Sequence, residues 1–540
     1  MTFFDNIILG CGPAGLQLGY FFKQHNQNYI ILEKNNQPAS FFTKYPHSKE
    51  LISINKKYTG HKNKEFNLRH DWNSLLNNHE LQMTDFSDNF YPSRDELTNY
   101  LEAFVNKYQL NIHYNTHIIH IIKQDNLFTL TDNKNNTWTC NNLIIATGLS
   151  KPNIPNILNI EYSKHYSEFP LNYFLSPQNL NKYKNKKVAI IGNGNSAFEL
   201  ANLLTPYCST ILILGRKSPT PSLVTHYTGD LRSKYFHFYD TFLLKSLNAF
   251  DSHCVSNKLS ISKHSDNLLY LERTCDCQCP YYRDPVSFHE IINCTGWTFD
   301  TSIFDPSITP NIEPFYNKYP EITGKYESTN VKNLFFIGTL MHSFDYKKSS
   351  GGFIHGFRYL IDNFVKINFT NFTSIQLNTL SSLCSHFYKR INTSSALYQM
   401  HSQLCDIFYL HNDTFIYYEQ IPLSYIFTYN NDKITLPSTN IFILTLEYGN
   451  DLQTDIKKIG SRTTSVGSEN KALLIHPVLR IYNNKSNTFG SNHSFYPSYD
   501  TLSQEPELID IIHFDEDLLT NFTNKDIYLQ KFFKIIKGYI

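Results

Sequence analysis

The chain has 540 residues, 41% hydrophobic and 15% aromatic, which is enough for several cores and for roughly three or four domain-sized units. Its 48 Lys and Arg against 47 Asp and Glu leave a formal charge of +1, giving neither a basic face for nucleic acid nor an acidic tail. No uninterrupted apolar stretch is long enough to span a bilayer, so the composition predicts a globular protein that engages neither nucleic acid nor membrane.

The first element is an apolar strand, Asn6-Ile7-Ile8-Leu9, followed by Gly10-Cys11-Gly12-Pro13-Ala14-Gly15 and a helix. In this fingerprint the first glycine makes a tight turn, the second lets a pyrophosphate approach the backbone, and the third lets helix and strand pack closely. The helix N-terminus then turns its partial positive charge toward the phosphates. A second strand, Tyr29-Ile30-Ile31-Leu32, ends in Glu33 and Lys34, at the offset where a carboxylate accepts hydrogen bonds from ribose hydroxyls. These residues predict an FAD site.

Ser93-Arg94-Asp95-Glu96 reads as a capping box opening a helix with Leu97, Leu101, Phe104 and Val105 on one face. The helix is expected beneath the FAD site, with Arg94 among the cofactor-binding residues. The next apolar strand ends in Ala146-Thr147-Gly148.

A second fingerprint follows the strand Lys187-Val188-Ala189-Ile190-Ile191: Gly192, Gly194, Asn195, Ser196 and Ala197, again opening a helix. Its second strand, Ile211-Leu212-Ile213-Leu214, ends in Gly215-Arg216-Lys217 rather than in an acid. A guanidinium there suits a 2′-phosphate and favours NADPH; the alternative is a solvated strand end. Ile291-Ile292-Asn293-Cys294-Thr295-Gly296 and Asn333-Leu334-Phe335-Phe336-Ile337-Gly338 are further apolar strands ending in small turns. The first, with Ala146–Gly148, reads as a crossing point between domains, and Gly338 as the close approach for the flavin ribityl chain.

The predicted fold is therefore α/β: two Rossmann-type dinucleotide-binding domains, the NADP domain inserted in the FAD domain, plus a C-terminal α+β domain. The expected boundaries are 1–169 and 291–366 for the two parts of the FAD domain, 170–290 for the NAD(P) domain, and 367–540 for the last. The Thr-, Ser- and Asn-rich stretch from about 367 to 395 is expected to be a connector.

Longer segments carry a closer likeness. Ser40–Thr43 to Leu51–Lys56, Phe66–Trp72, Thr225–Arg232, Ser350–Phe357, Leu446–Gly449 and His476–Arg480 resemble the FAD-dependent oxidoreductase domain-containing protein 2 family, the endoplasmic-reticulum flavoproteins associated with degradation. The resemblance covers nearly the whole chain. Animal members of that family have a cleaved leader and a retrieval signal, whereas Met1–Asp5 and Lys537–Ile540 match neither, so the expectation is a cytoplasmic homologue. A protein partner rests on this resemblance alone.

Ten cysteines include no Cys-x-x-Cys or Cys-x4-Cys pair, the spacings used by disulfide reductases of this layout. Cys275, Cys277 and Cys279 form the single cluster, and either bind a soft metal or are reduced thiols of a loop. The layout without a redox dithiol resembles flavin monooxygenases, which implies NADPH, O2 and a small-molecule substrate such as an amine or amino acid, with a C4a-hydroperoxyflavin on the path. The alternatives are a quality-control binding module, an oxidase, or a thiol reductase. Asn55, in a stretch like the flavin-proximal Asn of those enzymes, is a candidate catalytic residue, or else a turn cap. The monooxygenase linker signature is half present in His165–Phe169. Gly351 and Gly352 open a helix expected to offer amides to the flavin pyrimidine, with His355 one turn in as a catalytic candidate or a core histidine. His70, Asp71, His226 and Arg232 are further polar candidates.

Overall fold

A computed structural model describes residues 2–245, 250–254, 259–273, 286–428, 432–449, 474–484, 508–514 and 525–540. Its first sheet is parallel at the centre, in the order Ile112–His113, Tyr29–Leu32, Thr2–Leu9, Thr137–Ile145. Ile7, paired with Ile30 on one side and Leu143 on the other, has no exposed surface. Such strands read as unbroken apolar runs because helices and loops cover both faces.

Thr137–Ile145 runs beside Thr2–Leu9 along one edge, and its other edge is shared between two pairings. Its first half runs antiparallel to Leu127–Asp132, with Phe128 opposite Cys140, and its second half runs parallel to Leu334–Phe336, with Leu334 opposite Leu143. The chain therefore returns more than 180 residues later to complete the sheet it began.

The second sheet is wholly parallel: Phe250–Cys254, Thr210–Gly215, Lys187–Ile191, Glu290–Asn293, Lys164–His165. Glu290–Asn293, read from sequence as re-entering the FAD domain, belongs here instead, with Ile291 paired to Ala189. Ile291 and Ile292 are wholly buried in that layer, so an apolar run of this kind reports burial without naming the sheet. The crossing between domains is a two-stranded ribbon, Lys151–Pro152 against Trp297–Thr298.

A six-stranded antiparallel sheet forms the last unit, ordered Ile375–Leu377, Thr414–Pro422, Leu404–His411, Asn440–Glu447, His476–Asn483, Leu508–His513. The stretch expected to be a connector supplies both its edge strand and the helix Leu380–Thr393, capped by Thr379 and Ser382. Leu383, Phe387 and Ile391 lie on one buried face of that helix, four residues apart, among polar residues that masked the period. Phe387 stacks on Phe532 of the helix Lys525–Tyr539, ring centroids 4.0 Å apart.

Buried arginines join this unit to the first. Arg390 meets both carboxylate oxygens of Asp406, at 2.6 and 2.9 Å, and approaches Glu65 of the first domain at 3.5 Å. No helix among the described residues is long and apolar enough to cross a membrane.

Candidate active site

Both glycine motifs have the geometry of a phosphate cradle. Gly10 sits at φ +109°, where an added Cβ would lie 2.8 Å from the Ala146 carbonyl oxygen, and Gly192 repeats this at φ +108° against the Cys294 carbonyl. A side chain fits neither position, in conformation or in space. Gly15 abuts the Gly10 carbonyl in the same way. At Gly12 and Gly194, by contrast, a Cβ would meet nothing within 4 Å. These two glycines leave room in front of the helices Pro13–Gln24 and Asn195–Leu204, which have no side-chain cap and no acid in the first turn. Uncapped amides at the positive end of a helix dipole suit an anionic phosphate.

Glu33 is 5% exposed and points back at the first motif, accepting from the Cys11 amide at 2.9 Å and from the Asn35 amide at 3.0 Å. Oε1 also accepts from Asn35 Nδ2 at 2.9 Å and Ser40 Oγ at 3.4 Å, so it is Oε2, bonded to the Cys11 amide, that retains acceptor capacity for a ribose hydroxyl. Lys34 is exposed beside it. Ala146 and Thr147 line the Gly10 turn, and Gly148 and Gly296 end their strands with open space around the Cβ position. Gly338 is filled differently from expectation: its Cβ position abuts Ala14, so the glycine seats the helix Pro13–Gln24 against the end of the strand Leu334–Phe336. Arg216 and Lys217 are exposed at the strand end, and the Lys217 carbonyl accepts from Asn193 Nδ2.

Arg94 departs from its expected role. The capping box forms, with Ser93 Oγ accepting from the Glu96 amide at 3.1 Å, but the guanidinium is 1% exposed. It donates to the carbonyls of Lys44 and Pro46 and to Asn172 Oδ1, tying the first domain to the interdomain linker. The linker residue Tyr166 donates to Glu199 Oε2 at 2.7 Å, and Ser48 N donates to Glu199 Oε1 at 2.6 Å, fixing the second helix to the same junction. Burial raises the Glu199 carboxyl above its usual range.

The segment Thr225–Arg232 brings the two nucleotide sites together. Asn195, at the start of the second helix, donates to the Asp230 carbonyl at 2.9 Å and accepts from the Arg232 amide at 2.9 Å. From that anchor His226 stacks on Tyr448 of the last unit at 3.9 Å, and Thr228 Oγ1 lies 3.2 Å from Ser350 Oγ. Tyr227 Oη lies 2.8 Å from His342 Nε2, whose Nδ1 is 2.7 Å from Asp345 Oδ1. Asp345 Oδ2 in turn accepts from the Gly351 amide at 2.7 Å.

His342 and Asp345 carry no sequence motif of their own and lie between the glycine signals Gly338 and Gly351-Gly352. They also explain the glycine pair: a Cβ at Gly351 would collide with Asp345, and one at Gly352 would lie 2.5 Å from His342 Cδ2. The pair accommodates this buried array before it offers any amide to a ligand. Because the carboxylate takes Nδ1–H, His342 Nε2 is the acceptor for the tyrosine hydroxyl. Burial raises Tyr227 above the usual phenol range and keeps that hydroxyl protonated.

Asn55 is 1% exposed, and its Nδ2 donates to the carbonyls of Ser87 at 2.8 Å and Asn89 at 3.3 Å, while its Oδ1 has no partner. Asp71 is spent locally, accepting from the amides of Asn73 and Ser74. His355 is 1% exposed and stacked on Trp72, centroids 4.4 Å apart, and its Nε2 has no partner. Burial, followed by Arg358 and Arg232, pushes its pKa well below the usual value, so the ring is neutral.

The six cysteines whose side chains are described are poor nucleophiles. Cys11, Cys140, Cys294 and Cys405 are buried free thiols pushed well up by desolvation, and Cys208 and Cys384 rise to about 12 and about 11. The cluster Cys275, Cys277 and Cys279 lies outside the described residues.

Comparison with known proteins agrees with this geometry. The family model described as pyridine nucleotide-disulphide oxidoreductase matches residues 7–338. FAD-dependent oxidoreductase domain-containing protein 2 of Mus musculus is 33% identical over 552 residues, covering 96% of this chain and 81% of that protein. The Danio rerio protein of the same name is 34% identical over 526 residues, covering 88% and 75%. Among solved structures, a flavin-containing monooxygenase from Stenotrophomonas maltophilia aligns with TM-score 0.50 at 17% identity, covering 67% of this chain and 96% of that one. Bacillithiol disulfide reductase from Bacillus cereus aligns with TM-score 0.50 at 17% identity, covering 68% and 98%. These structural likenesses show the fold. The sequence relationships show more: the chain is an oxidoreductase that belongs to the pyridine nucleotide-disulphide oxidoreductase family and to the family of FAD-dependent oxidoreductase domain-containing protein 2.

Proposed function

We propose that the protein is an FAD- and NADPH-dependent monooxygenase acting on a small molecule with O2. The observation that carries the reading is the docking of Thr225–Arg232. Held to the second glycine motif by Asn195, it is bound to His342, Ser350 and Trp72 of the first domain. A pyridine nucleotide on the second motif would thereby be kept beside a cofactor on the first, an arrangement suited to a nucleotide that stays through an oxygen reaction.

Gly10, Gly12, Gly15 and Glu33 would hold FAD; Gly192, Gly194, Asn195, Ser196 and Ala197 would hold NADPH, with Arg216 and Lys217 at the 2′-phosphate. Bound FAD supplies a hydride acceptor and the centre at which oxygen is activated. The protein's part is positional: it fixes the two nucleotides, excludes water with the aromatic packing of Trp72, Tyr227 and Phe353, and keeps His355 neutral. The substrate is proposed to be an amine or amino acid. Thiol reduction is disfavoured by the desolvated, high-pKa state of the cysteines described, and their free thiols accord with a reducing compartment such as the cytoplasm.

Anaerobic mixing of the FAD-loaded protein with NADPH and, separately, NADH tests the cofactor assignment. Bleaching of the flavin by NADPH at lower concentration than by NADH is expected. Absence of bleaching by either would overturn the enzyme reading in favour of a binding module.

A further inference from the structure

Among the described residues five arginines are almost wholly buried, and each guanidinium donates to carbonyls or pairs with a carboxylate. Arg69 donates to the carbonyls of Ser394 and Ile391, Arg94 to those of Lys44 and Pro46, and Arg358 to those of Leu68, Asp71 and Ser74. Arg390 and Arg480 pair with Asp406 and Glu447. Arg232 is different. Its backbone amide is bonded to Asn195, but its guanidinium lies 5.0 Å over the Trp72 ring, and no carboxylate among the described residues pairs with it. Burial lowers its pKa, and the titratable groups that oppose this, Tyr91 and Tyr235, are phenols and not carboxylates.

A guanidinium laid on an indole keeps its N–H edge available, and that edge matches the two oxygens of a carboxylate or phosphate. A second polar group in the same place is also unanswered. His355 stacks on the same indole, is 1% exposed, and has a bare Nε2. Neutral and desolvated, that nitrogen is suited to accept a hydrogen bond. Cation, aromatic platform and acceptor therefore converge between the start of the second nucleotide helix, through Asn195, and the helix Ile354–Asn368. An unpaired partly buried cation costs stability that a bound anion returns.

We propose that Arg232 is an oxyanion-binding residue of the active site, with Trp72 holding the guanidinium flat and His355 accepting from an N–H or O–H donor carried near the oxyanion. This rests on the reading of the two motifs as a paired FAD and NADPH site. The oxyanion comes either from the diphosphate of the pyridine nucleotide or from the carboxylate of a substrate.

The test uses FAD-loaded wild type and the variants Arg232→Gln and Arg232→Lys, titrated with NADP+ and separately with benzoate while the flavin spectrum is followed. FAD content and thermal midpoint serve as controls of folding. A tenfold or greater weakening by Arg232→Gln, partly recovered in Arg232→Lys, is expected for one probe. Weakening confined to NADP+ assigns the dinucleotide diphosphate, and weakening confined to benzoate assigns a substrate carboxylate. Affinities within twofold of wild type for both probes, or a wild type that binds neither, overturn the proposal. Failure of the underlying reading shows separately, as NADPH that does not bleach the flavin.

Discussion

The Tyr227 hydroxyl lies 2.8 Å from His342 Nε2, so a residue of the second nucleotide domain is hydrogen-bonded to a buried histidine of the first. Asp345 and the Gly351 amide continue the chain of bonds to the mouth of the helix Ile354–Asn368. Removing the hydroxyl with Tyr227→Phe leaves Nε2 unsatisfied in a buried site, at a cost of about 1–3 kcal/mol. Urea denaturation should show that loss. The variant should also slow flavin reduction by NADPH while leaving FAD content unchanged.

The glycines separate into two classes that mutation distinguishes. Gly10→Ala should prevent folding, because its Cβ meets the Ala146 carbonyl at 2.8 Å in a left-handed conformation. Gly12→Ala and Gly194→Ala meet nothing within 4 Å, so both should fold. The first should be purified with little FAD, and the second should retain FAD while raising the KM for NADPH several-fold. Absorbance ratio and steady-state kinetics read these outcomes.

Acid stability should depend on His47. It is 1% exposed, and burial, opposed by its bond to the Tyr166 carbonyl, lowers its pKa to about 4. The folded pKa is below the unfolded value, so the contribution is present above about pH 6.5 and is lost as pH falls toward 4. The unfolded chain takes up the proton first, and the full shift is worth about 3 kcal/mol. His47→Gln should move the acid-unfolding midpoint to lower pH, followed by fluorescence.

Breaking the buried ion pair of the last unit should be costly. Arg390→Met leaves Asp406, which has no exposed surface, without its bidentate partner, and removal of one member of a buried pair costs about 3–5 kcal/mol. A lower urea midpoint is expected, with the double substitution Arg390→Met, Asp406→Leu recovering much of the loss.

Much of this was readable because local rules agreed. The two glycine fingerprints, the acid at Glu33 and the capping box at Ser93 each encode a backbone requirement within a few residues, and all appear where their spacing placed them. What failed depended on distant partners. Nothing near Arg94 announces that the carbonyls of Lys44 and Pro46 will claim its guanidinium. Nothing in Glu290–Asn293 says which of the two sheets it will enter. His342 and Asp345 had no motif of their own; the signal available was Gly351-Gly352, which makes room for them.

Retention of the pyridine nucleotide through an oxygen reaction is tested by the second half of the cycle. Protein reduced anaerobically with NADPH, and protein reduced with dithionite in the absence of nucleotide, are each mixed with oxygenated buffer while oxidised flavin and hydrogen peroxide are followed. A long delay before oxidised flavin returns, with little peroxide, is expected in the NADPH-reduced sample, and prompt return with peroxide in the other. Equally prompt reoxidation with stoichiometric peroxide in both would contradict it.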